Sequence, residues 1–309
     1  MLDVRRLRLL CDLARLGTIA AVAQAHTYTP SAVSQQLAVL EREAGVPLLE
    51  RTGRRVTLTT AGQVLVRHAE TVLTALEQTT AALAAVATGL TGPLRIGAFP
   101  SAVRTLLPAT LVALGHQHPG LELRVTELDP VAVPAGLRER RLDVGLLHDY
   151  DVVPVEPDPG LDTVPLLDET VFLAVPDSVP VPGSVAVPDS VPEAAEPLRE
   201  ARDAAWILAS PGTLCHTATL HVCRTAGFTP RARHHADDFA TVLALVAAGQ
   251  GVSVIPQLAA AQPPVGVRLL PLDTRRRTRI AYRRGAASHP ATAAFVSAIH
   301  AATSSFLGR

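Results

Sequence analysis

The spacing of apolar residues divides this chain into a helical front, one long helix and a remainder of short strands and helices. Val4, Leu7, Leu10, Cys11 and Ala14 mark one face of a first helix, which Gly17 ends. A small-residue helix from Ile19 to Ala25 follows, capped by Thr18, with Ala20 and Ala23 on a face suited to close approach. His26, Thr27 and Tyr28 break the period. Thr29 and Pro30 then start another helix, because the hydroxyl caps free N–H groups and proline at the first helical position sacrifices no hydrogen bond. Val33, Leu37 and Leu40 fall at i, i+4 and i+7 and give this helix a core face. From Thr60, which forms a capping-box pattern with Gln63, the residues Leu65, Ala69, Val72, Leu76, Thr79, Leu83, Val86 and Leu90 recur in steps of four and three. Gly89 and Gly92-Pro93 end this seam. A heptad seam of that length on a small domain favours a partner helix over a helix lying on its own body.

Beyond Pro93 short apolar runs alternate with helical segments. The strands predicted are 94–99, 121–128, 142–148, 171–175, 206–210, 231–235, 251–255, 267–272 and 278–284. Helices are predicted over 101–116, 136–141, 212–226, 239–248 and 291–306. Alternation of this kind argues for an α/β body with open, mostly parallel sheets covered by helices. Two Pro-rich stretches interrupt it, one over 149–160 and one in which VPDSVP occurs at 175–180 and again at 187–192. These read as exposed loops following strand ends.

The chemistry of the front is polar and basic. Ser31, Ser34, Gln35 and Gln36 lie on or near the face opposite the core stripe, close to the helix N-terminus. Short hydroxyl and amide side chains there suit base edges and phosphates in a major groove. Arg51, Arg54 and Arg55 flank the tight turn at Thr52-Gly53 and make a basic wing able to touch phosphate. Short helix pairs and basic hairpins also occur as ordinary core elements; cap, proline, polar first turn and arginine wing in this order favour DNA. The whole chain is neutral, but residues 1–62 carry eight Arg against five acidic side chains, which leaves the rest slightly acidic. Lys and Asn are absent, a codon-composition effect that makes Arg at any one site uninformative.

The stretch TPSAVSQQLAVLEREAGVPLLER followed by TLTTAG resembles the N-terminal signature of LysR-type transcriptional regulators. Leu49 departs from it, standing where many members have phenylalanine. The resemblance implies a winged helix-turn-helix over 1–59, with Thr29, Pro30, Ser31, Ser34, Gln35, Gln36, Arg51, Arg54 and Arg55 at double-stranded operator DNA. It implies a dimerising linker helix over 60–90, and over 91–309 a two-lobed effector domain like a periplasmic binding protein. Lobe I would comprise about 93–168 and 268–309, and lobe II about 169–267. The partners implied are a second copy or a tetramer, a small-molecule effector, and RNA polymerase if the protein is an activator.

Ligands in open α/β sheets bind beyond the carboxyl ends of strands. That places Ser101, Ala102, Asp129, His148, Ser210 and Thr213 at a cleft. Two helix N-termini there favour a small anionic effector, although Ser101 and Thr213 also suit plain caps. No cofactor is expected. Cys215, His216, His221, Cys223, His234 and His235 lack the tight pairing of a zinc site. Oxidant-sensing members of the family use two cysteines in this region, and Cys223-Arg-Thr-Ala-Gly227 resembles one of them while Cys215 is displaced by a residue. Eight helical positions separate Cys215 from Cys223 by about 12 Å, beyond disulfide reach. Buried, inert thiols are the plainer reading. No phosphate loop, nucleophile elbow or His-Glu-x-x-His occurs, so an enzyme is not expected. A solute-binding protein with a stray basic head is the remaining rival. Charges at Asp3, Arg5, Arg6 and Arg8 leave no room for a signal sequence, and no run is apolar enough to span a membrane, so a cytoplasmic location is expected.

Overall fold

A computed structural model describes residues 1–52, 55–86, 89–177 and 196–308 of the chain. Its front is three helices, α1 (Val4–Leu16), α2 (Ile19–Ala25) and α3 (Pro30–Ala44), followed by the hairpin β1 (Leu49–Thr52) and β2 (Arg55–Leu58). Asp3 caps α1, Thr18 caps α2 and Thr29 caps α3, each side chain accepting backbone N–H bonds. Leu10, Val22, Val33, Leu37 and Leu40 are fully buried together, so the periodic positions do form one small core. The long helix α4 (Thr60–Val86) is capped by Thr59, whose hydroxyl accepts from Gly62, rather than by the expected Thr60. The cap slips one residue because the Thr59 hydroxyl also donates to the Pro47 carbonyl and ties α4 to the chain just before the wing.

The body continues through β3 (Gly92–Ala98), α5 (Pro100–Thr105), α6 (Leu107–Gln117), β4 (Leu121–Glu127), α7 (Val133–Arg138), β5 (Val144–Tyr150) and β6 (Leu161–Pro176). Then come α8 (Glu196–Glu200), β7 (Ala205–Leu208), α9 (Leu214–Thr225), β8 (Arg231–His235), α10 (Phe239–Ala247), β9 (Ser253–Pro256), β10 (Val267–Arg283) and α11 (Pro290–Leu307). Among the described residues the main sheet has the order β4-β3-β5-β10-β6-β9, and β7 pairs with β8 in a smaller sheet.

This corrects the expectation of mostly parallel sheets. β4-β3-β5 and β7-β8 are parallel, but β10 runs antiparallel to both β5 and β6, and β6 antiparallel to β9. The cause is that β6 and β10 are long strands that pass from one lobe into the other as an antiparallel pair. Lobe I packs Ile96, Leu106, Val144, Ile280 and Phe295. Lobe II packs Val171, Leu173, Trp206 and Cys223 on one side, and Ile207, Val246 and Ile255 on the other. Gly251, at φ 152°, lies so close to Ala205 that a Cβ there would stand 2.5 Å from its carbonyl oxygen. Only glycine fits this turn. Among the described residues no helix is long and apolar enough to cross a membrane.

Candidate DNA interface and inter-lobe site

In the front, Val33, Leu37 and Leu40 point into the head core, which leaves Thr29, Pro30, Ser31 and Gln35 exposed on the other side of α3. Ser34 is half-buried. The Thr29 hydroxyl accepts from Ala32 and lies 3.0 Å from the Ser31 hydroxyl, so it serves first as a cap. Gln36 is turned differently: its Oε1 accepts from Arg6 Nε at 2.9 Å, tying α3 to α1. Arg6 also pairs with Glu43. β1 and β2 pair from Leu49 with Leu58 to Thr52 with Arg55, as a wing requires. Arg54 and the side chains of Arg51 and Arg55 lie outside the described residues.

Between the lobes the register of β10 assembles a polar site. Arg276 is the direct cross-strand neighbour of Tyr150 on β5 and of Glu169 on β6; two residues on, Thr278 pairs with His148. Residues i and i+2 share a face of a strand, so Tyr150, His148, Arg276, Thr278 and Glu169 form two adjacent rows. The Arg276 guanidinium is wholly buried and binds Glu169 through Nε at 2.8 Å and Nη2 at 3.0 Å. Glu169 also accepts from the Thr278 hydroxyl at 3.2 Å and the Leu258 amide at 2.9 Å. A charge pair this dry survives only with such full hydrogen bonding.

Around the pair, Phe99 lies beneath the guanidinium at 4.9 Å, and Arg276 Nη2 reaches the Ser101 hydroxyl at 3.4 Å. His148 stands edge-on between Phe99 and Tyr150. It is buried, and its Nδ1 has no hydrogen-bond partner among the described residues. Burial, and then the Arg276 charge, holds its pKa well below 6.5, so the ring is neutral. The Tyr150 hydroxyl lies 3.5 Å from Cys215 Sγ, in the first turn of α9. Burial pushes the Cys215 pKa up, while the Tyr150 hydrogen bond and Arg276 pull it down. The upward effect wins, so the sulfur rests as a thiol.

Of the cleft residues expected from sequence, Ser101 and His148 come together at this site. Ala102 is fully buried behind it in the core of lobe I. Asp129 caps a short 3-10 turn, accepting from Val131. Thr213 caps α9 and donates to Ser210, while the Ser210 amide and hydroxyl both bond Asp237. These three side chains are therefore engaged in holding turns. Arg276, Glu169, Tyr150 and Thr278 were missed. Residues 273–277 read as a break between two strands, because Asp273 and three successive arginines hide the period-2 alternation that places Arg276 inward. At the mouth of the cleft Arg104 of lobe I binds Asp238 of lobe II at 2.6 Å. That hydrogen bond holds the Asp238 carboxyl below its usual range.

A winged head on a long helix, carrying two lobes closed over a polar site, is the architecture of a ligand-controlled DNA-binding protein. Residues 4–63 match the bacterial regulatory helix-turn-helix protein family of LysR type, and residues 87–304 match the LysR substrate binding domain. The chain belongs to the LysR family of transcription regulators and is not an enzyme; regulators of this family bind operator DNA and oligomerise. It is 35% identical over 254 residues to a probable hydrogen peroxide-inducible genes activator of Mycobacterium avium, covering 82% of this chain and 77% of that one. It is 29% identical over 291 residues to the DNA-binding transcriptional dual regulator OxyR of Escherichia coli K12, covering 92% of this chain and 90% of the relative. Among solved structures, a Corynebacterium glutamicum OxyR C206 mutant superposes with a TM-score of 0.58 at 25% identity, over 100% of this chain and 93% of that one.

Proposed function

We propose that this regulator is switched by hydrogen peroxide admitted to the inter-lobe site beside Cys215. The observation that carries the reading is the position of the Cys215 sulfur, on the Tyr150 hydroxyl at the edge of the Arg276 site. The names of the relatives point the same way. The anionic effector expected from sequence fits less well, because Glu169 already neutralises Arg276 and would repel a carboxylate. A small uncharged molecule that both donates and accepts hydrogen bonds suits Ser101, Arg276 and the unpartnered Nδ1 of His148. In the reaction the sulfur takes one peroxide oxygen and the O–O bond breaks. The thiol proton leaves with the other oxygen as water, and a sulfenic acid remains. Cys223 is fully buried in the core of lobe II, about 12 Å along α9, so a disulfide requires that helix to unwind.

The DNA contacts fall to Ser31, Ser34 and Gln35 at the start of α3 and to the arginine wing. The α4 stripe joins two copies, and a tetramer would pair two such dimers. As an activator the protein would meet RNA polymerase beside its operator. The test treats full-length protein with an equivalent of peroxide, then reads peptide mass and the operator footprint. A sulfenic acid on Cys215 and an altered footprint, both lost in Cys215→Ser, are expected. A footprint response that persists in Cys215→Ser, or peroxide without effect on the wild type, would refute the reading. The rate should climb with pH from 7 to 9, about tenfold per unit, since the thiolate is the nucleophile and burial holds its pKa above the ordinary 9.0.

A further inference from the structure

A cavity of about 280 Å³ lies where the head, the linker helix and lobe I meet, and it shares no residue with the inter-lobe site. Five guanidiniums and three carboxylates reach it. Glu77 of α4, only 7% exposed, holds Arg8 of the head at 3.6 Å and Arg283 of lobe I at 3.1 Å, and pairs also with Arg140. Asp12 of the head pairs with Arg15 and with Arg138 of lobe I, the latter at 3.7 Å. Arg138 also pairs with Asp158, and Arg284 with Asp162. The head is thus fastened to the body by carboxylates that each serve cations from more than one part of the molecule.

Two further observations point to a ligand. Arg15 lines this space, and its Nε is closed off from solvent with no hydrogen-bond partner among the described residues. An unsatisfied buried N–H of a cation costs more than a neutral one, so an acceptor is wanted there. The cations also crowd one another: Arg8 and Arg138 both have lowered pKa values, first through burial and next through Arg140 and Arg15 respectively. Cys11, Ala14, Leu73 and Pro159 supply an apolar wall.

We propose that this cavity is a second ligand site, for a small organic acid. Its carboxylate binds the guanidiniums that line the space, Arg15 among them, and its apolar body lies on Ala14 and Leu73. Such an anion competes with Asp12 and Glu77 for the arginines that join head to body, so occupancy changes how firmly the head is held. The space is large enough for about a six- to ten-carbon acid.

The experiment titrates full-length protein with fluorescent 1-naphthoate and, separately, with uncharged 1-naphthalenemethanol. Naphthoate should bind once per chain, about tenfold more tightly than the alcohol, the difference a charged hydrogen bond supplies. Arg15→Gln should abolish that difference. Leu73→Trp and, from the head, Ala14→Met should each exclude naphthoate while the melting curve stays cooperative. Absence of binding, or binding that survives both filling variants, overturns the proposal. Loss in Ser101→Leu together with survival in Leu73→Trp overturns it also, by placing the anion between the lobes.

Discussion

Removing the Arg276 guanidinium leaves Glu169 charged, dry and short of two of its hydrogen bonds. Arg276→Met should therefore cost about 3–5 kcal/mol in urea unfolding, and Arg276→Met with Glu169→Leu should recover most of it. A single variant as stable as the wild type would mean that water reaches the pair. His148 gives a pH signature of opposite cause. Its folded pKa is depressed below 6.5, so on acidification the unfolded chain takes up a proton that the folded chain refuses. Stability should fall as pH drops from about 6.5 towards the folded value, with no such contribution above it. In His148→Leu this part of the acid loss should vanish, and an unchanged difference between pH 7.5 and 5.5 would assign it to other groups. Neither behaviour is visible in the sequence. An arginine among arginines and a lone histidine at a strand end carry no mark of burial until the neighbouring strands are in register.

At the scale of elements the sequence was more open. Caps at Thr18 and Thr29, the stop at Gly17 and the i, i+4, i+7 stripe of α3 are local rules, and the head obeys them. What failed were β6 and β10, at 16 and 17 residues. The period along β10 is disturbed by register shifts between Leu272 and Arg275 and again at Thr278 and Arg279, so one strand read as two. Along α4, Ala69 turns into the head core while Val72, Leu76, Leu83 and Val86 stand exposed, the last two at 66% and 80%. An apolar stripe of this kind needs covering. Leu83→Glu should shift the protein towards monomers in sedimentation equilibrium and weaken operator binding in parallel. Undiminished association would place the interface on another face.

Across the whole molecule the head is not a free appendage. Glu77 fastens α1, α4 and lobe I at one point, so Glu77→Gln should loosen the head without melting it. Amide exchange should speed up by about an order of magnitude in α1 and near residues 133–141, and stay unchanged in α11. Equal acceleration everywhere would make Glu77 a general stability residue. The placing of this joint was not legible in the sequence, because Arg8, Glu77 and Arg283 belong to three separate segments and none is unusual in its own. The two long strands carry a different implication. Because β6 and β10 cross between the lobes side by side, any movement of one lobe against the other has to bend or twist a two-stranded ribbon. The register shifts of this ribbon fall on either side of Arg276, and the Arg276–Glu169 pair is the rivet set between them. Oxidation of Cys215, one hydrogen bond from the Tyr150 that pairs with Arg276, would therefore act where both lobes are joined.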